Sequence, residues 1–588
     1  MFPRTLVSTS RHHPSSRELC DRARSTRPRL IRQALRRVWW QLDRACFGAT
    51  LDRARQTFLC SLEQLSNRIV FLLRGSADRP VRSSGAFKYT LANRGDHVGE
   101  FSSDDPPNEA SSELFALSVH LAERGVRDSG QQGEVVEFAR TTLKECWREA
   151  RQPPLSPWTF YRMGVSYLYL NKPYSAFAAC AKALQLSNTE SVINDAYDAL
   201  SVIDASDEEL VACGWMRRLL LIGTAGRFHA PGALSELQVL ASQGAPPIAP
   251  PVTILAGGCR ANDDARLPVF RPLVIDAFRA YTGTIISGGT RIGVCSLAGD
   301  VQEAFPESIH AIGYVPRGVT DTPLDDRYRE IRLTPDSDFS VTEVTQYWCD
   351  LVASGVSPSQ VKVFGIDGGS ISASEYKMAL ALGASVALLE GSGREAKKLR
   401  HNRHWRASQG LVCIPADSYI IEEFIKPHLQ QLDTADRERL ARVIHDTYRE
   451  RERGVTTADD PSIAPWDELP SYLKHSNRAQ ADRIFEKVER IGYTVEKRTG
   501  STATPVTDFT PGELTVMAQM EHSRGVVECL NGGWMPGPRR DVRHKISPYL
   551  VPWRALPEYV KDKKRTTVRN IPTLLGAIGL QVGKTGDE

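Results

Sequence analysis

Between residues 252 and 429, short apolar runs alternate with segments in which apolar residues recur at helical spacing. The runs predict strands, and the segments between them predict amphipathic helices. The predicted strands are 252–256, 284–287, 309–315, 361–365, 385–389 and 411–414, and the predicted helices are 268–281, 293–304, 341–355, 373–383, 393–400 and 417–429. Because the strands are apolar throughout, both sheet faces should be covered, which is typical of a doubly wound parallel sheet.

Helical spacing dominates on both sides of this stretch, so the predicted fold class is a multidomain chain of α and α/β regions. The predicted regions are an Arg-rich helical appendage and linker at 1–111, a helical region at 112–243, the Rossmann-like α/β domain at 250–431, and mostly helical units at 432–500 and 505–588. The first 75 residues also have the composition of an organelle transit peptide. We prefer the appendage because Pro and acidic residues interrupt that pattern.

Composition narrows the classes of protein that fit. Hydrophobic residues make up 41% and charged residues 24% of the 588 positions, as in an ordinary globular chain. The net charge of +4 gives no support for a nucleic-acid binder. The 11 Cys form no CxxC pair and no zinc-like cluster with His, so we expect a reduced cytoplasmic compartment, no metal and no cofactor. No apolar run approaches the ~18 residues of a membrane span.

One segment of the helical region resembles a tetratricopeptide unit. It contains Trp158, Gly164, Tyr167 and Tyr174, and an Ala-rich stretch that ends at Ala183. In this family a Gly lies where the two helices of a hairpin pack closely. Such helix pairs usually form a protein-binding surface or a dimer interface. The resemblance therefore implies a protein partner or a homo-oligomer, and a plain helical spacer is the alternative.

Four predicted strands end in turns of small residues, and these turns carry the candidate site. The candidate ligand-binding residues in them are Gly257, Gly258, Arg260, Gly288, Gly289, Thr290, Arg291, Gly293, Asp367, Gly368, Gly369, Ser370, Gly391, Ser392, Gly393 and Arg394. Where a parallel strand passes through Gly into a helix, free backbone N–H groups and the helix dipole favour phosphate. We predict a phosphate- or ribose-bearing ligand, in preference to Gly used only for tight turns. Arg291 and Arg394 would either pair with phosphate or lie on the surface.

This arrangement resembles the SLOG superfamily, which includes the LONELY GUY phosphoribohydrolases, the DprA DNA-processing proteins, the N-terminal regions of TRPM channels and sensor modules of bacterial immune effectors. The most specific piece is the hydrolase signature PGGxGTxxE, which reads DGGSISASE over 367–375. Gly368 and Gly369 match its paired glycines. Glu375 matches the glutamate that helps the family's enzymes to cleave the N-glycosidic bond of a nucleoside monophosphate. The resemblance implies a nucleotide-derived ligand.

The segment departs from the hydrolase signature at three positions. Asp367 stands in place of Pro, Ile371 in place of the third Gly, and Ser372 in place of Thr. Residues 353–362 also lack the Arg that the hydrolases place before this strand, so the charge that develops on the ribose and the leaving base has one stabiliser fewer. These departures favour binding over cleavage. Glu375 would then bind a ribose diol, or serve only as a helix N-terminal acid.

The end of the chain contains an internal repeat. Residues 465–484 align without gaps on 552–571, with Pro, Trp, Leu, Pro, Tyr, Lys, Arg and Ile at the same positions. A similar helix with a His, either His445 or His522, precedes each copy. This part of the chain is therefore predicted to be two copies of one module.

The second copy resembles the ryanodine-receptor repeat, or RyR domain. The candidate residues of this unit are His522, Arg524, Trp534, Arg539 and Trp553. Bacterial RyR domains are regarded as sensors of nucleotide-derived ligands, and the resemblance implies the same role here. Gly525 and Pro536 stand where the family commonly has aromatic residues, which puts stacking on a ligand in doubt. For Trp553 we prefer a role in the core of a small helical module, and for His522 with Arg524 a polar network rather than a catalytic pair.

Three hypotheses for function follow from these patterns. The first is a cytoplasmic bacterial signalling protein that senses a nucleotide or cyclic-nucleotide-type messenger, for example in stress or antiphage defence. Its helical and RyR units would mediate assembly or a second recognition. The second is a nucleotide N-glycosidase with Glu375 as the catalytic residue. The third is a scaffold whose α/β domain binds nothing. We favour the first because the hydrolase signature is incomplete.

Overall fold

The structure is a computed structural model that describes residues 109–125, 132–203, 210–258, 267–427, 431–454, 460–498 and 505–584. The described residues lie in one compact unit, 104–588. The appendage and linker predicted at 1–111 lie outside the described residues, apart from residues 109–111. Every helix in the described ranges is too short or too polar to cross a membrane.

Seven helices lie ahead of the sheet in the described part of the chain. They are α1 (Glu109–Gly125), α2 (Gln132–Glu149), α3 (Pro157–Tyr169), α4 (Pro173–Leu186), α5 (Glu190–Ser201), α6 (Val211–Phe228) and α7 (Pro231–Leu240). Gly164 of α3 lies where α3 and α4 approach closely, because an added Cβ would lie 3.4 Å from the Ala176 carbonyl oxygen. The resemblance to a tetratricopeptide unit stays a prediction.

A seven-stranded sheet follows, and all its neighbouring strands are parallel, in the order β4-β3-β2-β1-β5-β6-β7. The strands are β1 (Val252–Gly257), β2 (Gly283–Ser287), β3 (Ile309–Pro316), β4 (Glu330–Thr334), β5 (Lys362–Ile366), β6 (Ser385–Leu389) and β7 (Leu411–Ile414). The helices between and after them are α8 (Leu267–Ala277), α9 (Val294–Ala304), α10 (Val341–Ala353), α11 (Ser370–Leu382), α12 (Arg394–His401) and α13 (Ser418–Ile425). The predicted doubly wound parallel sheet is confirmed.

The sequence prediction missed β4, at the edge of the sheet. This strand carries Glu330 and Arg332 among its five residues, so it lacks the apolar run that marked the other strands. Arg332 is nevertheless buried, because its guanidinium donates to the Asp350 carboxylate at 2.9 Å and to the Pro246 carbonyl oxygen at 2.8 Å. A buried charge is tolerated in a strand when it is fully paired. In the sequence alone, however, such a charged strand has the polar pattern of a loop.

The two faces of the sheet bury different sets of apolar side chains. One face packs against α10, α11 and α12, and its core continues without a break into the seven N-terminal helices. The other face packs against α8, α9 and α13, and against the first long helix of the second C-terminal copy. Arg227 of α6 ties the first layer together, since its guanidinium donates to carbonyl oxygens at the ends of α4 and α11. The helical region is thus a cover of the sheet and shares its core.

The two C-terminal copies have the same order of elements. The first contains α14 (Thr434–Glu452), a 3-10 turn (Trp466–Glu468), α15 (Ser471–Asp482), α16 (Ile484–Arg490) and β8 (Tyr493–Lys497). The second contains α17 (Pro511–Asn531), the short strands β9 (Met535–Pro536) and β10 (Ile546–Ser547), a 3-10 turn (Trp553–Ala555), α18 (Glu558–Arg569), α19 (Ile571–Gly576) and β11 (Leu580–Lys584). The closing strands β8 and β11 pair antiparallel, so the copies share one small sheet.

Candidate functional site

The chain changes direction across the sheet between β1 and β5. From β1 it proceeds towards β4 on one side, and from β5 towards β7 on the other, while β1 and β5 are neighbours. In sheets of this kind ligands bind outside the carboxyl ends of the strands, at the point where the direction changes. The candidate site therefore lies beside Gly257 and Ile366, the last residues of β1 and β5. We call this place the switch point.

The turn after β1 contacts both of its neighbours at the switch point. The Gly258 N–H donates to the Ile366 carbonyl oxygen at 3.3 Å, and the Gly258 carbonyl oxygen accepts from the Val294 N–H at 2.9 Å. The Ser372 hydroxyl donates to the Gly257 carbonyl oxygen at 3.0 Å. The beginnings of α9 and α11 are thereby joined to the end of β1. Arg260, predicted for the same turn, lies outside the described residues.

The turn after β6 packs against the turn after β5. The Ala396 N–H donates to the Asp367 carbonyl oxygen at 3.1 Å, and Arg394 Nε lies 4.0 Å from Asp367 Oδ1. Asp367 and Gly368 both have left-handed backbone conformations, with φ of 60° and 108°. These contacts bring Asp367, Gly368, Gly369, Ser370, Gly391, Ser392, Gly393 and Arg394 of the predicted set to one edge of the sheet.

The turn after β2 has its own partners. The Gly289 carbonyl oxygen accepts from the Asp325 N–H at 3.0 Å, and Arg291 forms an ion pair with Asp326. Thr290 is buried and forms a bridge to Leu324. An added Cβ at Gly289 or at Gly288 would collide with a neighbouring side chain, so both glycines serve close packing. Gly293, the last residue of the turn, caps α9 beside the turn after β1.

Three helices that begin near the switch point are capped by glycine alone. The N-caps of α9, α11 and α12 are Gly293, Gly369 and Gly393, and no side chain accepts a hydrogen bond at these caps. By contrast, α10 and α13, which follow the edge strands β4 and β7, are capped by the side chains of Ser340 and Asp417. The helix dipole favours an anion at the glycine-capped starts. In α9 and α12 part of the first turn is already used, because the Val294 and Ala396 N–H groups donate to the carbonyl oxygens of Gly258 and Asp367. The glycine-capped helices thus follow inner strands of the sheet, and the two side-chain-capped helices follow its edge strands.

Glu375 lies in the second turn of α11 and is buried, with 8% of its surface exposed. Its Oε1 accepts a hydrogen bond from the Tyr347 hydroxyl at 2.7 Å. Burial raises the pKa of Glu375 to about 8, against the lowering effect of this hydrogen bond, and the nearby Cys295 thiol adds to the rise. The carboxyl is therefore protonated at neutral pH. In that form Glu375 donates a hydrogen bond or a proton and carries no negative charge.

The space enclosed by these turns is small. A cavity of about 10 Å³ lies among them, which is room for about one water molecule. The residues that line it are Gly258, Leu267, Phe270, Val294, Ile366, Asp367 and Ser392. A nucleotide would therefore contact the glycine-capped helix starts from outside this cavity. Ile371, which stands in place of the third Gly of the hydrolase signature, is half-buried and packs on the core.

Sequence analysis missed several residues that support the site. Tyr347 has no motif around it and lies 28 positions before Glu375, so only the fold brings the two together. Cys295 lies beside Gly288, where an added Cβ would be 2.7 Å from its Sγ. The Tyr376 hydroxyl lies 3.2 Å from the carbonyl oxygen of Ala256 in β1 and 3.3 Å from that of Asp367, just after β5, and shares its hydrogen between them. Of these three residues, only Tyr376 could have been suggested by the sequence, because it is adjacent to Glu375.

The residues predicted for the RyR unit do not converge on one surface. The ring nitrogen Nε2 of His522 lies 2.8 Å from a backbone carbonyl oxygen, and the ring packs 5.9 Å from Trp553. His445 and Trp466 make the same contacts in the first copy. Burial lowers the pKa of His522 to about 4, so the ring is neutral. These pairs are common to both copies and are typical of a module core.

The other three residues of that unit have separate surroundings. Arg524 is buried in α17 and pairs with Glu521 and Glu528. Trp534 is half-buried against the core below the sheet, and Arg539 is exposed. The RyR resemblance and its ligand therefore stay predictions.

A substitution at Gly368 tests how strictly the turn after β5 depends on glycine. Gly368→Val should destabilise the α/β domain by about 2–4 kcal/mol, because φ is 108° and the new Cβ would lie 2.6 Å from the Ser372 Cβ. Gly369→Ala is the matched control, since its Cβ would meet only Arg394 Nη2 at 3.9 Å. Thermal unfolding of both variants measures the difference. A larger loss in the Gly369 variant would contradict this account of the turn.

In the described residues, no group of three or more His, Cys, Asp and Glu is arranged to hold a metal ion.

Comparison with known proteins identifies the family that the α/β domain resembles. No curated protein matches the chain. The SLOG resemblance predicted over 250–431 is confirmed, because residues 250–438 match the family model described as SLOG in TRPM, prokaryote. This match supports a nucleotide-related ligand-binding or sensor role for that part of the chain.

Proposed function

We propose that the chain is a sensor that binds a nucleotide or nucleotide-derived messenger, of the ADP-ribose or cyclic-nucleotide type, at the switch point. The observation that carries the proposal is the set of three glycine-capped helix starts beside the ends of β1 and β5. Each presents the positive end of its helix dipole to a phosphate. A ligand with two or more phosphates would contact more than one of them. Bacterial stress or antiphage signalling is the setting that we propose.

Binding is favoured over cleavage by the state of Glu375. A hydrolase needs charge that stabilises the developing oxocarbenium ion. The carboxyl is buried, protonated at neutral pH and hydrogen-bonded to Tyr347. The segment before β5 also lacks the hydrolase arginine, and Lys362, the first residue of β5, has its amine 5.5 Å from the Phe424 ring. A neutral carboxyl is suited to donate a hydrogen bond to a ribose hydroxyl or a base.

Calorimetry with ADP-ribose, its cyclic isomers and cyclic dinucleotides tests the proposal. We expect heat of binding for at least one of them. Gly369→Asp should weaken that binding at least tenfold, because the added carboxylate would occupy the N-cap of α11 where the ligand phosphate is expected. Space is open there, since an added Cβ would meet only Arg394 Nη2 at 3.9 Å.

The control for this variant is Gly232→Asp. It adds the same charge near the start of α7, where an added Cβ would meet nothing within 4 Å. Its binding heat should equal that of the unchanged protein. Absence of heat for every ligand with a folded protein would sink the proposal, as would equal loss in both variants.

A nucleotide N-glycosidase is the second candidate, and one observation favours it. Glu375 has the pKa of about 8 that suits a general acid at neutral pH. This candidate predicts release of free base from AMP or NAD, and loss of that release in Glu375→Ala. Absence of turnover at micromolar enzyme would remove it. The sensor proposal also includes assembly: the helical region and the C-terminal copies would bind a protein partner or join chains in a homo-oligomer.

A further inference from the structure

The two C-terminal copies differ in charge more than in structure. Residues 552–571 carry six Lys or Arg and two acidic residues, whereas the aligned residues 465–484 carry three of each. The whole chain has a net charge of only +4. The core contacts of the two copies are the same. Although Lys564 interacts with the buried Glu521 and Arg565 pairs with Glu558, the cations of the second copy still exceed its acids. This excess points to a partner of opposite charge for the second copy.

A second group of cations lies in the 537–545 loop between β9 and β10. This loop has the sequence GPRRDVRHK, with four Lys or Arg and one acid. The acid, Asp541, is used inside the loop, where it accepts from the His544 N–H at 3.0 Å and contacts His544 Nδ1 at 2.7 Å. Lys545 anchors the loop by donating to the Gly532 carbonyl oxygen at 2.9 Å. The side chains of Arg539 and Arg543 are exposed.

The loop and α18 are neighbours. The hydroxyls of Tyr549, just after β10, and Tyr559, at the start of α18, lie 2.8 Å apart. Large apolar side chains are exposed on the same elements: Met535 at 57%, Val542 at 41% and Tyr559 at 59%. Other sides of the second copy are occupied, because α17 packs on α13 and β7, and β11 pairs with β8.

We propose that the second C-terminal copy binds anionic membrane surfaces through the 537–545 loop and α18. Cations attract acidic headgroups. Exposed Met, Val and Tyr side chains beside them stabilise the bound state when they enter the interfacial region of the membrane. A protruding loop with an aliphatic side chain among its cations fits a flat lipid surface. Single-stranded nucleic acid is less suited, because it needs successive aromatic platforms for its bases, and the exposed apolar side chains here include only one aromatic ring.

The test is sedimentation of the full chain with phosphatidylcholine vesicles that contain or lack phosphatidylserine. We expect binding to the phosphatidylserine vesicles that weakens steeply as salt is raised. Arg539→Glu/Arg543→Glu should lower the partition coefficient about tenfold or more. Val542→Ser should lower it a few-fold at a salt concentration where charge is screened. Both changes lie on an exposed loop, and unchanged thermal unfolding would show that the fold is kept.

The matched control is Arg140→Glu/Arg279→Glu. It changes the net charge by the same amount at two arginines of α2 and of the turn after α8 that are 60% and 62% exposed. Retained vesicle binding in this control, with loss in the loop variant, supports the proposal. Equal binding to both kinds of vesicle overturns it, as does equal loss in the control or unchanged binding in the loop variant. Stronger binding to polyuridine than to vesicles, with loss in the loop variant, would show a nucleic-acid surface instead.

Discussion

Glu521→Gln is expected to destabilise the contact between the two C-terminal copies by about 3–5 kcal/mol. This is the usual effect of removing one partner from a buried ion pair. Lys487 Nζ of the first copy lies 2.9 Å from Glu521 Oε2, with only 2% and 3% of the two side chains exposed. Arg524 Nη2 lies 2.8 Å from Glu521 Oε1. Glutamine would keep the shape but remove the countercharge that Lys487 and Arg524 share, and Arg524 would keep only Glu528.

The shifted pKa of Glu521 also makes the stability of the C-terminal copies depend on pH. Burial alone would raise it, but Arg524, Lys487 and Lys564 together hold the pKa of this carboxyl well below its usual range. A depressed pKa stabilises the fold above the unfolded value of roughly 4.3, and this stabilisation is lost as pH falls through the folded value. The unchanged protein should therefore lose stability as pH falls below about 4.3, and Glu521→Gln, which does not titrate, should lose less in that range.

Hydrogen exchange of backbone amides in α16 and α17 measures this effect locally, which suits a chain with several units. Exchange should accelerate about a hundredfold or more at pH 7. The control is Glu438→Gln, which breaks an ion pair with Arg478 at 2.7 Å whose side chains are about one third exposed. An ion pair exposed to this extent contributes about 1 kcal/mol or less. Similar exchange in both variants would show that burial of Glu521 does not matter.

The course of the sheet could be predicted from sequence because its strands are buried on both faces. Runs such as Val252–Gly257 and Ser385–Leu389 are nearly free of charge, and each leads into a helix. The same rule failed at Glu330–Thr334, where Arg332 is buried by pairing with Asp350. That pairing joins residues 18 positions apart, and no local pattern reports it. Nor did sequence show that one core joins the helical region to the sheet.

The candidate site was predictable as far as backbone chemistry determines it. Glycines at the ends of parallel strands predict helix starts suited to an anion, and Gly293, Gly369 and Gly393 are the N-caps of three helices in the structure. The state of Glu375 was not predictable, because it depends on burial and on Tyr347 of another helix. Arg291 shows the same limit, since its partner Asp326 lies in the connection between β3 and β4, far from the turn after β2 in sequence.

Glu375→Gln is expected to make the α/β domain more stable than the unchanged protein at pH 8, and nearly equal to it at pH 5. Between the unfolded pKa of 4.5 and the folded pKa of about 8, the unfolded carboxyl is ionised while the folded one keeps its proton. Each pH unit in this window costs about 1.4 kcal/mol of stability, so the total reaches roughly 3 kcal/mol or more. Glutamine does not titrate and still accepts from the Tyr347 hydroxyl.

Scanning calorimetry of both proteins at pH 5, 6.5 and 8 measures this difference, and parallel pH profiles would contradict a protonated Glu375. The groups that face the carboxyl are Tyr347 of α10 and Cys295 of α9. Tyr347→Phe is the second variant. It keeps the ring that packs 5.8 Å from Tyr314 but removes the donor that lowers the pKa of Glu375. It should therefore extend the loss of stability to higher pH.

The same variant separates the two functional candidates, because glutamine can hydrogen-bond a ligand but cannot transfer a proton. A sensor should keep ligand affinity within about tenfold in Glu375→Gln, since a neutral donor and acceptor replaces a neutral donor and acceptor. A glycosidase should lose 10²-fold or more of its turnover, the usual contribution of a general acid. Calorimetry and base release are measured on one preparation at pH 7. Retained affinity without turnover in either protein assigns Glu375 to binding, and turnover that disappears in the variant assigns it to catalysis.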